Sequence, residues 1–254
     1  MRRTTRPETE PRARGVRLRR VRVRAALLAA SALALVALTP GVAAAGPKPR
    51  PRVPPDAIVA AATVPSVAVY DHPGAATPSS ALANPNRYRG KLVLLVSAIR
   101  LDGWLQVLLP VRPNGSVGWI HAGDVVLSND PYRIVVQLRP HRITVRKRGG
   151  VILREPVAIG KANTPTPGGG YYLTQLFAPP DPNGPYGPYA YSLSGYSEVL
   201  TTFEGGDAII GLHGTNHPEL LGHDVSSGCI RMRNEAITTL ASILPLGTPV
   251  TIVP

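Results

Sequence analysis

Proline and glycine cut this chain into short pieces. It holds 28 Pro and 25 Gly, about one residue in five. A proline breaks a helix interior and removes a donor from a sheet ladder, and a glycine weakens both kinds of element. Long helices are therefore excluded over most of the chain. Short strands joined by tight turns and irregular loops remain. The hydrophobic fraction of 44% still suffices for packed cores, so the chain is not globally disordered. A length of 254 residues fits one or two domains.

Four stretches differ in texture. Residues 1–45 combine arginines with an apolar run. Residues 46–63 begin with the Pro-rich, charged Gly46–Asp56 and read as an extended, semi-rigid linker. Residues 64–128 carry short β-type segments: Val67 and Val69, Leu92–Val96, then Trp104–Leu109 and Val117–Ile120 across a turn at Pro113-Asn114-Gly115. Asn-Gly supplies the positive φ that such hairpins need. From Pro131 the apolar residues Ile134, Val136, Leu138, Ile143 and Val145 alternate with others, which predicts antiparallel hairpins with one buried face. Thr164–Gly170 reads as a rigid turn, and Ala178–Ser197 as a long irregular loop. Asn234 is placed to cap a short helix through Ile237, Leu240, Ala241 and Leu244. Gly247 ends it, and Val250–Val253 forms a last strand.

The formal charge of +13 is unevenly spread. Ten Arg against two Glu fall within residues 1–45, which leaves only +5 for the rest. That excess suits an anionic polymer or membrane face and is no nucleic-acid footprint. Arg146-Lys147-Arg148 reads as the solvated tip of a hairpin. The amino terminus has the pattern of an export signal: arginines up to Arg24, an apolar stretch Ala25–Leu38, and Ala43-Ala44-Ala45 as a cleavage site. Retained, the same segment would anchor the chain in a membrane, and it is the only membrane contact expected. An exported chain with one cysteine forms no internal disulfide. Cys229 is then an intermolecular bridge, an inert buried residue or a reactive thiol.

Its surroundings are informative. His213–Asn234 (HGTNHPELLGHDVSSGCIRMRN) holds three histidines and the only cysteine. Three chemistries compete. In the first, Cys229 is a nucleophile and His213 the base that takes its proton. Gly214 and Gly228 allow close backbone approach, and N–H groups near Gly228 and Cys229 could hold an oxyanion. In the second, His213, His217, His223 and Cys229 bind zinc. The i,i+4 histidine pair shares a face only on a helix, and Gly214 and Pro218 oppose one there. In the third, Cys229 is buried and inert. Flanking Gly, Arg and Ser-Ser do not make the apolar run this would need.

Two resemblances follow from these residues. Trp104-Leu105-Gln106-Val107 with Gly118-Trp119-Ile120 resembles the bacterial SH3-like domain. There both Trp would fill the core of a small barrel, or the module would help dock on cell-wall polymer. The run HGT…SSGCIRM resembles the signature of the L,D-transpeptidase catalytic domain of the YkuD type, a His-Gly followed by Ser/Thr-x-Gly-Cys. The likeness extends over 131–254 and includes Ala162–Leu173 and Gly184–Ser197. Ser227 departs from the His or Lys often found at that place.

Together the resemblances imply a mainly β chain, a small SH3-like β-barrel followed by a YkuD-type β-sandwich with one or two short helices. They imply an acyl-transfer enzyme of peptidoglycan. Cys229 would attack the donor tetrapeptide stem at the bond before its terminal D-Ala, with His213 as base and the Gly214 carbonyl orienting it. Ser226, Ser227, Gly228 and Arg231 would line the site, and Arg231 would pair with a stem carboxylate. An acceptor amine on a second stem would relieve the acyl-enzyme as a 3→3 cross-link. Water in its place gives carboxypeptidase activity, and a protein amine gives wall anchoring. Carbapenems would acylate Cys229. No metal or organic cofactor is implied. Two rivals remain: a cell-wall cysteine endopeptidase, in which Cys would precede His, and a non-catalytic wall-binding protein. The expected location is outside the cytoplasm, in the periplasm or cell wall.

Overall fold

A computed structural model describes residues 55–254; the export-signal segment and most of the linker lie outside the described residues. The first module has seven strands: β1 (Ala57–Ala62), β2 (Ser66–Val69), β3 (Ser80–Ala83), β4 (Val93–Ile99), β5 (Trp104–Leu108), β6 (Val117–His121) and β7 (Val125–Asp130). Five form an antiparallel sheet in the order β6-β5-β4-β1-β7, while β2 and β3 make a hairpin joined to β6 by a Tyr70–Trp119 bridge. The expected β5–β6 hairpin is present, with Trp104 opposite His121 and Gly115 at φ 83° in its turn.

Strand β1 falls inside the stretch read as linker and is a correction to it. It pairs on both sides, with β4 and β7. Its sequence AIVAAA buries four of six residues, on both faces. A strand buried on both faces shows no alternation, and alanine has weak strand preference, so neither cue marks it. Trp104 is buried against Tyr70 and His121 and Trp119 is half-buried; neither belongs to the module's apolar cluster.

The second module contains β8 (Tyr132–Gln137), β9 (Arg142–Lys147), β10 (Gly150–Pro156), β11 (Ile159–Gly160), β12 (Gly169–Phe177), β13 (Ala190–Tyr196), β14 (Ile209–His213), β15 (Asp224–Ser226), β16 (Ile230–Arg231), α1 (Asn234–Ile243) and β17 (Pro249–Val253). Eight strands build one curled sheet in the order β10-β9-β8-β17-β12-β13-β14-β16. A short parallel pair, β11–β15, stands apart from it. The alternation read from the sequence appears as Ile134, Val136, Ile143 and Val145 buried in one core with Tyr171, Leu173, Tyr191, Leu193, Ile210 and Leu212. Helix α1 seals that core with Ala236, Ile237 and Leu240. The loop expected over Ala178–Ser197 is shorter, because Ala190–Tyr196 within it is strand β13.

Asn234 does not cap α1. It is the first helical residue, and the N-cap position is Arg233, whose side chain makes no capping bond. The Asn234 Oδ1 instead accepts the Thr215 N–H at 2.8 Å. That oxygen lies so close to Gly187 and Gly214 that a Cβ on either would sit 2.3–2.4 Å from it. The asparagine thus ties the end of β14 to the loop before β13.

The two modules share core and hydrogen bonds. Tyr172 of β12 is fully buried in the first module's apolar cluster. Asn114 donates to the Tyr196 carbonyl and accepts the Tyr196 N–H, both at 2.8 Å. Arg112 donates to the carbonyls of Ser197 and Leu200, and Thr248 donates to Asp130 at 2.6 Å. The described residues fall within one compact unit. None of the described helices is long and apolar enough to cross a membrane.

Candidate active site

Parallel pairing of β14 with β16 sets the site. Leu212 lies opposite Ile230 and His213 opposite Arg231. Cys229 immediately precedes β16, so a residue sixteen positions after His213 returns to the same end of the sheet. Gly211 lies beside both side chains: a Cβ there would be 3.4 Å from Cys229 Sγ and 3.4 Å from His213 Cδ2. The Gly211 N–H donates to Sγ at 3.3 Å. Among the described residues Sγ makes no hydrogen bond to the imidazole. The His213 Nδ1 meets the Gly214 carbonyl at 2.7 Å. A carbonyl only accepts, so Nδ1 carries the proton and Nε2, bonded to Cδ2, is left as the basic nitrogen.

Burial governs the charge of both groups. His213 is 2% exposed. Its pKa falls to about 4, chiefly because burial penalises the imidazolium; the Gly214 carbonyl opposes this and Arg231 adds to it. Burial likewise pushes the Cys229 thiol up, against the pull of the Gly211 N–H and Arg231, with Glu204 adding to the rise. The resting pair is a neutral thiol and a neutral imidazole. A thiolate forms only when proton transfer accompanies attack.

A small cavity of about 60 Å³ opens over the pair, lined by Pro185, Tyr186, Phe203, Glu204, His213, Ser227, Cys229 and Arg231. Ser227 and Arg231 are thus in its wall, and the Arg231 Nε is buried without a hydrogen-bond partner among the described residues.

Ser226 and Gly228 do not line the cavity; both are buried in the turn that carries the cysteine. The Ser226 hydroxyl donates to the Cys229 carbonyl at 2.6 Å and accepts the Gly228 N–H at 3.1 Å. Gly228 adopts φ 117°, which side-chain-bearing residues rarely reach. The turn is further pinned by Thr166, whose hydroxyl donates to the Gly228 carbonyl at 2.8 Å, and by Thr164 donating to the Ser226 carbonyl at 3.3 Å. The TPTPGGG segment is thus the second half of the cysteine's support.

Of Tyr186, Tyr189 and Tyr191, which fall in the segment read as an irregular loop, Tyr186 alone lines the cavity. Its ring lies 4.9 Å from that of His213, and its hydroxyl donates to Glu204 at 2.5 Å. Tyr191 instead donates to the carbonyls of Leu240 and Leu244, and Tyr189 packs on the core. Phe203, Glu204 and Pro185 were not foreseen. Phe203 and Gly206 close a tight turn through two 2.9 Å backbone bonds. Gly205-Gly206 marks that turn in the sequence, but nothing local tells that it faces a cysteine 23 positions later. His217 is exposed and meets Glu219 at 2.9 Å, and His223 is exposed. Among the described residues no group of His, Cys, Asp and Glu is arranged to hold a metal.

Comparisons with known proteins converge on this half of the chain. The L,D-transpeptidase catalytic domain family, YkuD, matches residues 131–252. A Bacillus licheniformis chain bearing the name L,D-transpeptidase YkuD is 36% identical over 156 residues, 59% of this chain and 86% of that one. The Bacillus subtilis chain of the same name is 39% identical over 122 residues, 48% of this chain and 66% of that one. An L,D-transpeptidase structure from Mycobacterium smegmatis superposes with a TM-score of 0.41 at 16% identity, covering 63% of this chain and 82% of that one. A thiol and a histidine whose Nδ1 is held by a backbone carbonyl, at one end of a curled sheet, thus sit inside the matched region: the chain belongs to the L,D-transpeptidase family with a YkuD catalytic domain.

Proposed function

We propose that this chain is an exported peptidoglycan L,D-transpeptidase that works through a Cys229 acyl-enzyme. The observation that carries the reading is the placement of Cys229 Sγ and the His213 ring edge beside Gly211, at the floor of a cavity with Arg231 in its wall. Arg231 supplies a guanidinium suited to a stem-peptide carboxylate. Cys229 attacks the carbonyl before the terminal D-Ala while His213 Nε2 takes the thiol proton. The Gly214 carbonyl stabilises the imidazolium as it forms, in place of a carboxylate. The Gly228 N–H is committed to Ser226, so the oxyanion falls to the Cys229 N–H. His213 then protonates the departing D-Ala amine. The side-chain amine of a second stem takes the acyl group and leaves a 3→3 cross-link. Hydrolysis or attachment of a protein to the wall follows from the same thioester with another acceptor.

The first module is read as SH3-like from its Trp104 and Trp119 motifs. Burial of Trp104 and the shared core favour support of the catalytic sheet over free docking on wall polymer. Residues 1–45 are read as the export signal. Incubation of purified protein with a disaccharide-tetrapeptide is expected to release D-Ala and give cross-linked dimers. A carbapenem is expected to add its mass to the protein, and Cys229→Ala should abolish all three. A Cys229→Ala protein as active as the parent sinks the assignment.

A further inference from the structure

A second, larger cavity adjoins the first. It has a volume of about 560 Å³ and is walled on one side by Tyr88 of the first module and on others by Phe177, Pro179 and Pro180. Three residues belong to both cavities: Tyr186, Phe203 and Glu204. They form the partition between Cys229 and the larger space. Among the described residues Glu204 is the only carboxylate in the wall of the Cys229 cavity, whose other titratable groups are Arg231, His213, Tyr186 and Cys229 itself. It is exposed, at the tip of the Phe203–Gly206 turn, with φ 47°. A non-glycine residue held in that region is strained and persists where its surroundings hold it. One carboxylate oxygen accepts the Tyr186 hydroxyl, whose ring packs on His213. The other makes no hydrogen bond or ion pair among the described residues. The neighbouring Asp207, by contrast, is paired with Arg87 of the first module.

A free carboxylate beside the acylated sulfur disfavours the donor stem, which brings its own carboxylates to Arg231. It favours a cation arriving from the other side. We infer that Glu204 is a specificity-determining residue for the acceptor. It binds the protonated side-chain amine of the second stem, which enters through the larger cavity past Tyr88. This inference rests on the acyl-enzyme reading above. The step balances without a further reactant. The ammonium held by Glu204 gives one proton to solvent through the open cavity. The free amine attacks the thioester carbonyl and forms the C–N bond as the C–S bond breaks. Its second proton passes by way of His213 to the departing sulfur. The products are an amide and the Cys229 thiol. Water carries no charge, so Glu204 gives the competing hydrolysis no equivalent help, and the carboxylate biases the partition of the acyl-enzyme toward cross-linking.

The test varies the acceptor. Glu204→Gln, Glu204→Asp and parent are incubated with a fixed tetrapeptide donor and increasing concentrations of a peptide bearing a free diamino-acid side chain. Dimer and hydrolysed tripeptide are both quantified. For Glu204→Gln the acceptor concentration giving half-maximal cross-linking should rise about tenfold, with a much smaller change in the limiting rate. Glu204→Asp should lie between that variant and the parent. An unchanged half-saturation, or a fall in limiting rate alone, overturns the inference. Carbapenem acylation followed by mass separates the two levels. A parent that acylates yet never cross-links to the amine at any concentration refutes the acceptor role and leaves the thiol assignment standing. A parent that never acylates refutes the acyl-enzyme reading and this inference with it.

Discussion

His213 should make the folded state acid-sensitive in a window its burial defines. The ring is 2% exposed, and its pKa drops from the ordinary 6.5 to about 4, mainly by burial. The folded value lies below the unfolded one, so between them the unfolded chain binds more protons. Stability from this residue is complete above pH 6.5, declines as pH falls toward 4, and is fully lost below that. At 1.36 kcal/mol for each pH unit separating the two values, the loss is about 3 kcal/mol. That is a large fraction of the net stability of an ordinary domain. The check is urea denaturation at intervals from pH 7.5 to 3.5 on the parent and on His213→Gln, which cannot ionise. Asp130 shifts upward by burial and contributes with the opposite sign, since its protonated form suits the fold; it is common to both proteins and cancels in the difference. The parent should lose about 3 kcal/mol more than the variant between pH 6.5 and 4. Parallel curves across that interval would show that the imidazolium is tolerated in place, and the description of a neutral resting pair would have to be given up. The same logic puts the acid limb of Cys229 acylation near pH 4 rather than near 6.5.

Ser226→Ala should destabilise by about 2 kcal/mol and slow acylation at least tenfold, because it orphans the buried Gly228 N–H and releases the Cys229 carbonyl; a melting curve and an acylation time course, both unchanged, would remove its role as a brace. Tyr172→Phe should raise stability by about 1 kcal/mol, since the Tyr172 hydroxyl is buried with no partner among the described residues and its removal deletes only a desolvation cost; a loss of stability in the same denaturation assay would mean that the hydroxyl is satisfied.

The parts of the fold written in local pattern were legible. Alternation at Ile134, Val136, Ile143 and Val145 fixed the buried face of β8 and β9, and Asn114-Gly115 fixed the β5–β6 turn. Strand β1 was not legible, because a central strand of alanines has neither alternation nor β-branched bulk. Asn234 was misplaced for a related reason. Asparagine before an apolar helical run is a good cap in isolation, but tertiary contact with Thr215, Gly187 and Gly214 outbids the local bond. Glu204 was invisible, because its relation to Cys229 exists only after β14 and β16 pair. Cys229, His213 and Gly214 stood out in the sequence because their spacing is short and their chemistry rare. Residues that hold them in place are common types, scattered from Thr164 to Asn234.

That asymmetry has a physical origin. A thiol and an imidazole in a buried corner are each pushed toward the neutral form. Neither partner therefore charges at rest to hold the other by ion pairing. Their mutual geometry must come from the backbone. β14 is fixed by its ladder with β13 and by the Asn234 bond at its end, and the cysteine turn by the hydroxyls of Ser226, Thr164 and Thr166. Each of these hydroxyls meets a backbone carbonyl, and those of Ser226 and Thr166 also take a backbone N–H, Gly228 for one and Gly160 for the other. They carry no charge that would shift the site further. A carboxylate brace would have cost more to bury and would have raised the thiol higher still. The only acid lining the cavity among the described residues, Glu204, is on the exposed side of Tyr186, where its push on the thiol is the smallest of those acting there and it stays open to an incoming cation. Neutral bracing beneath the cysteine and a single exposed carboxylate above it are two solutions to one constraint: the sulfur must lose its proton during attack and not before.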